Sequence, residues 1–131
     1  MVSIDDRLQQ IRQRIASACR QSGRSSQTVS LLAVSKTVDV ALLRQAVDAG
    51  QRAFGENYVQ EALDKIAALA DVRAALQWHL IGPLQSNKTR AVAEHFDWVH
   101  SVDRLNSVRI TRTACARGGA SYPPNFSTAR Q

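Results

Sequence analysis

An alternation of short apolar runs with amphipathic helical stretches, repeated along most of the chain, constrains the fold more than any other feature. It opens with a helix, in which Ile4, Leu8, Ile11, Ile15 and Ala18 follow helical spacing, Ser3 stands at the cap position and Gly23 at the close. Residues 29–34 (VSLLAV) read as a short buried strand. Asp39 then suits the cap of a helix carrying Val40, Leu43 and Val47 on one face and ending at Gly50. Ala53-Phe54 reads as a second strand, and residues 58–75 as a helix burying Val59, Leu63, Ile66 and Leu69. Residues 77–81 form the third expected strand, broken by Gly82-Pro83, and residues 87–96 the next helix. Residues 97–101 are the fourth expected strand, with Asp103 capping one more helix.

Strands that alternate with helices in this way call for a parallel sheet covered by helices, an α/β fold. Each unit takes about 25 residues, and eight would close a (β/α)8 TIM-type barrel of roughly 200 residues or more. With 131 residues, the chain is expected to carry only about the first half of such a barrel, over residues 1–110. Residues 111–131 (TRTACARGGASYPPNFSTARQ) change character, with no strand pattern, no helical stripe and no acid. They read as disordered or irregular, either a natural flexible tail or what truncation or a shifted reading frame leaves.

The net charge of +6 divides evenly at that boundary. Residues 1–110 hold 14 bases and 11 acids, and the last 21 residues add three arginines. The bases of the first part are scattered among acids, so the pattern is a solvated, mildly basic surface and no nucleic-acid partner is expected. No apolar run approaches the ~20 residues of a membrane span, and the N-terminus lacks an apolar signal core, so the expected setting is cytoplasmic, with no membrane partner. Cys19 and Cys115 are read as free thiols.

Four segments at strand ends carry candidate chemistry. In Ala33-Val34-Ser35-Lys36-Thr37, a lysine leaves an apolar strand. Burial there would disfavour the charged amine and make it nucleophilic toward carbonyls, whereas a lysine snorkelling from a loop would be inert. In a barrel, the C-terminal strand ends face the active site, so position and chemistry suit a Schiff-base lysine, while on this pattern alone the snorkelling lysine is the commoner case. In Phe54-Gly55-Glu56-Asn57-Tyr58, Glu56 and Asn57 either point into the same mouth or cap the following helix. In Trp78-His79-Leu80-Ile81-Gly82-Pro83, alternation puts His79 on the face opposite Trp78 and Leu80, as a cofactor contact or as a satisfied core histidine. His100-Ser101-Val102-Asp103-Arg104 reads as a turn and cap. There is no Walker loop and no G-x-G-x-x-G. The histidines lack metal-ligand spacing, so no metal is expected.

At the order and spacing found here, AVSKT, FGENYVQEA, WHLIGPLQSNK and HSVDR resemble the pyridoxal phosphate homeostasis proteins, single-domain relatives of the alanine racemase N-terminal barrel. The resemblance runs from about residue 4 to Ile110. It implies a (β/α)8-type barrel binding pyridoxal 5′-phosphate as a Schiff base on Lys36. Asn57 matches a residue lining the cofactor pocket, and His79 borders it. It also implies a role in keeping the free, reactive aldehyde cofactor in check rather than catalysis, with no catalytic residue assigned, and a monomer at full family length. An amino-acid racemase-like enzyme is the alternative. It would need a second acid or base, and neither Tyr58 nor Tyr122 sits in a matching context.

The resemblance also implies that later strands, and the Ser/Gly-rich loops and arginine that grip the cofactor, lie beyond this chain; residues 111–131 do not resemble the family's continuation, so the expectation is a non-native tail left by truncation or a shifted frame. Half a barrel would expose a strand edge and unpartnered apolar surface. Weak or absent cofactor retention and self-association are expected of it.

Overall fold

The computed structural model describes residues 2–100 and the strand at 125–126. It opens with α1, Ile4–Gln21, started by a capping box: Asp6 N–H donates to Ser3 Oγ (3.1 Å) and Ser3 N–H to Asp6 Oδ2 (3.1 Å). As expected, Gly23 and Gly50 close the first two helices, both with positive φ (70° and 97°). Cys19 is a buried free thiol; Cys115 lies outside the described residues.

After α1 come β1 (Ala33–Val34), α2 (Val40–Asp48), β2 (Ala53–Glu56), α3 (Val59–Ala68), β3 (Gln77–Leu80), α4 (Thr89–His95), β4 (Trp98–Val99) and β5 (Asn125–Phe126). The five strands form one sheet in the order β1-β2-β3-β4-β5, every neighbouring pair parallel. Sequential parallel order, with a helix after each of the first three strands, is barrel-type winding. A doubly wound sheet would reverse its strand order at a switch point.

Register sorts the sheet into rows that alternate between its two faces. Ala33, Phe54 and Trp78 align in one row, and Glu56, Leu80 and Val99 in another. Apart from Ala33, every member of these two rows is at most 1% exposed. They pack beneath the helices against Leu43 and Val47 of α2, Ile66 of α3, and Val92 of α4. Each such apolar side chain contributes about 1.5–3 kcal/mol. The row between holds Val34, Gly55, His79 and Trp98 and faces the other way. Val34 there is 53% exposed.

Several boundaries differ from the sequence reading. The strand expected over 29–34 pairs only at Ala33–Val34; ahead of it the Gln51 side chain stands between the two segments and donates to the Ala53 carbonyl (2.8 Å). The Leu31 carbonyl instead accepts from Gln51 Nε2 (2.8 Å). The helix expected over 58–75 ends at Ala68 and continues as a 3-10 turn, Ala70–Ala75. Arg44 of α2 takes up that junction, donating to the Ala68 carbonyl and to both Asp71 oxygens. A 3-10 turn, Ser86–Lys88, likewise precedes α4. Asp39 occupies the α2 cap position without a side-chain bond.

The segment read as strandless contributes β5. Asn125 aligns with Trp98 and Phe126 with Val99, so the β4 edge expected to stand open is paired. Two residues need only backbone groups to extend an edge, and backbone pairing leaves no side-chain period to read. The helix expected after Asp103 and the rest of residues 111–131 lie outside the described residues.

Candidate functional site

The three residues singled out from sequence fall at the ends of three neighbouring strands. Lys36 lies two residues beyond β1, Asn57 directly follows β2, and His79 is the penultimate residue of β3. All three therefore sit at or next to C-terminal strand ends, where barrel proteins place their sites.

Lys36 is exposed, which corrects the buried amine expected of it. It stands in a tight turn closed by Val38 N–H to the Ser35 carbonyl (3.1 Å). Thr37, the next residue, has φ 62°, a conformation rare for a β-branched side chain. The buried lysine of this region is Lys65 on α3, 4% exposed. Its Nζ donates to the Ser35 carbonyl (2.6 Å), Glu56 Oε1 (2.7 Å) and Glu61 Oε1 (2.8 Å). Three acceptors match the three protons of an ammonium. Ser35 Oγ donates to the same Glu56 oxygen (2.7 Å), and Thr37 N–H to the same Glu61 oxygen (2.7 Å).

Glu56 is thus neither a helix cap nor a mouth-facing acid. Its row turns it beneath α3, where it is fully buried. Tyr58 holds the cap position of α3, so Asn57 is released from that role too.

His79 stacks on Trp98 (centroids 5.6 Å apart, planes 2° apart), and its Nδ1 lies 2.9 Å from His100 Nε2. Burial pushes the His79 pKa down to about 4; the nearby His100 adds to this and Asp97 opposes it. His79 is therefore a neutral imidazole at physiological pH, with one donor and one acceptor nitrogen. Its Nε2 is buried with no hydrogen-bond partner among the described residues, and so is Asn57 Oδ1. Polar atoms buried without partners cost stability and are uncommon, so each calls for an explanation. A polar ligand on this face would supply one.

Close packing fixes Asn57. Gly82, in the loop after β3, lies so near it that an added Cβ would meet the Asn57 carbonyl oxygen and come within 2.8 Å of its Cα. Over Gly55, Ile81 and Leu32 leave little room: an added Cβ would lie 3.1 Å from Ile81 Cδ1.

Sequence reasoning missed Lys65 and passed over Glu61. The signal was the i, i+4 acid–base spacing of Glu61 and Lys65, which ordinarily marks an exposed helix pair. Lys65 also precedes Ile66 on the apolar side of α3, and that could have flagged it.

An all-parallel sheet wound in sequence, with a helix after each of the first three strands, defines an α/β protein of the (β/α)-barrel type. No protein-family model matches the chain. It is, however, related to the pyridoxal phosphate homeostasis proteins. That of Escherichia coli (strain K12) is 50% identical over 125 residues, covering 95% of this chain and 52% of the relative. That of Pseudomonas aeruginosa is 52% identical over 124 residues, with the same coverage. Among solved structures, PipY of Synechococcus elongatus PCC7942 without PLP superposes with a TM-score of 0.73 at 46% identity, covering 88% of this chain and 51% of that one. The same protein with PLP bound gives 0.70 at 47% identity, covering 83% of this chain and 50% of that one. The chain spans about half the length of the curated relatives it matches. The 125 residues matched in Escherichia coli extend past the stretch from about residue 4 to Ile110 that carries the four motifs. Among the described residues, no helix is long and apolar enough to cross a membrane, and no cluster of ligating side chains could hold a metal ion.

Proposed function

We propose that this chain binds pyridoxal 5′-phosphate on the exposed face of its sheet and belongs to a cytoplasmic protein that controls the level of that cofactor. Lys36 is the Schiff-base lysine, and Asn57 and His79 border the cofactor. The observation that carries this reading is that two of the buried, unpartnered polar atoms, Asn57 Oδ1 and His79 Nε2, lie at the C-terminal ends of β2 and β3, next in the sheet to β1, whose own end leads to Lys36. The names of the relatives and the PLP-bound PipY structure support the choice of ligand.

When bound, pyridoxal phosphate supplies an aldehyde that takes up an amine with loss of water. The chain has three lysines, Lys36, Lys65 and Lys88. All three protons of Lys65 are committed to internal acceptors, and Lys88 lies at the start of α4. Of the three, Lys36 alone is exposed, and it follows β1 as Asn57 follows the neighbouring β2. Asn57 can accept a hydrogen bond through Oδ1, and the neutral His79 can form one without adding charge. The role is read as binding rather than turnover.

Titration of the chain with pyridoxal phosphate, followed by absorbance, tests this. A new band is expected with the wild type and not with Lys36→Ala. Equal bands in the two would overturn the reading.

A further inference from the structure

Both neighbours of Lys36 are tied to one ammonium. Lys65 Nζ binds the Ser35 carbonyl directly (2.6 Å). It reaches Thr37 through a single atom, Glu61 Oε1, which accepts from Lys65 Nζ at 2.8 Å and from Thr37 N–H at 2.7 Å. Glu56 Oε1 closes the other side, accepting from Lys65 Nζ and from Ser35 Oγ, both at 2.7 Å. The turn these bonds enclose is not one the chain would choose by itself. Thr37 sits at φ 62°, where β-branched residues are disfavoured, and such conformations persist only where surroundings over-determine them.

We propose that Lys65, acting through Glu61, is a positioning residue that holds the strained Ser35-Lys36-Thr37 turn and so presents the Lys36 amine on the exposed face. The inference rests on the reading of Lys36 as the attachment point. It extends that reading by assigning the second lysine, from α3, a part in the site that requires no contact with ligand. An exposed lysine has many rotamers, and fixing the backbone on both of its flanks narrows the volume its amine explores. A salt bridge that served stability alone would have no need of the Thr37 amide, which sits on the outer side of the cluster.

Glu61→Ala and Glu61→Gln test this in the full chain. Glu61 is about one-third exposed, so neither variant opens the core. Alanine removes the acceptor shared by Lys65 and Thr37, whereas glutamine retains a carbonyl oxygen there. Hydrogen exchange of the Thr37 amide is expected to rise at least tenfold in Glu61→Ala and to stay within about threefold of wild type in Glu61→Gln. The Phe96 amide, bonded to the Val92 carbonyl far from the turn, serves as the internal control and is expected not to move. The yield of borohydride-fixed pyridoxyl label on Lys36 is expected to fall at least fivefold in Glu61→Ala and to recover in Glu61→Gln. Unchanged Thr37 exchange in Glu61→Ala would overturn the positioning role, even with Lys36 labelled normally in the wild type. Label absent from Lys36 in the wild type would overturn the attachment reading, and the Thr37 exchange would still decide whether the turn is held as described.

Discussion

Lys65 Nζ lies 2.7 Å from Glu56 Oε1, with the two side chains 6% and 0% exposed. An ion pair this deep has given up most of its hydration, and it is sustained by the further bonds each partner makes. Lys65 also reaches Ser35 and Glu61, and Glu56 Oε1 also accepts from Ser35 Oγ. Removing one partner leaves the other buried and uncompensated, at a cost of about 3–5 kcal/mol. Lys65→Met and Glu56→Gln are therefore each expected to lower the urea midpoint sharply. The double variant is expected to be destabilised by clearly less than the sum of the two, because residues in contact are not additive. Additive losses in denaturant unfolding would show that the pair is not coupled.

Gly82 lies where only a hydrogen fits. A methyl there must displace the Asn57 backbone, since the nearest atoms are its carbonyl oxygen, Cα and C, none of which is the end of a flexible side chain. Gly82→Ala is expected to cost about 1–3 kcal/mol, as overpacking does. The same shift moves the Asn57 side chain, so pyridoxal phosphate binding is expected to weaken more than stability alone would account for. A variant as stable as wild type, binding equally well, would contradict the close approach.

Neutral His79 ties stability to pH. The group titrates near 6.5 when unfolded and near 4 when folded. Between those values the unfolded chain holds the extra proton, so stability rises with pH through the window and levels off above it. Lowering the pH from 7 to 4 is expected to cost on the order of 1–2 kcal/mol through this group, after allowance for its partial exposure to solvent. Urea midpoints against pH are expected to flatten over that range in His79→Gln. An identical slope in variant and wild type would place the titration elsewhere.

The sequence made the architecture legible because the signals were periodic. Ile4 to Ala18 on α1, and Val59 and Ile66 on α3, repeat at helical spacing, and Trp78-His79-Leu80 alternates as a strand with one polar face. Trp78 and Leu80 are fully buried and His79 is not, as alternation requires. The site was legible only where a motif carried it. Lys36, Asn57 and His79 stand at strand ends, and chain order alone nearly places those. The Lys65–Glu56–Glu61 cluster was not legible, because it joins α3 to the end of β2 and the turn after β1, and nothing local announces that meeting. Glu61 and Lys65 carry the spacing of an ordinary surface pair, and only the packing of α3 on the sheet turns Lys65 inward. β5 was illegible for a different reason: a two-residue strand is defined by its backbone partner, not by its own side chains.

With three lysines in the chain, attachment of the cofactor at Lys36 is directly measurable. The chain would be incubated with a small excess of pyridoxal phosphate, reduced with borohydride, digested and mapped by mass spectrometry. Reduction traps even weakly held label, so the result reports preference among sites rather than affinity. The pyridoxyl label is predicted to lie predominantly on Lys36, with little on Lys88 and almost none on Lys65, whose protons are all engaged. Label spread evenly over the three lysines, or concentrated on Lys65 or Lys88, would contradict it.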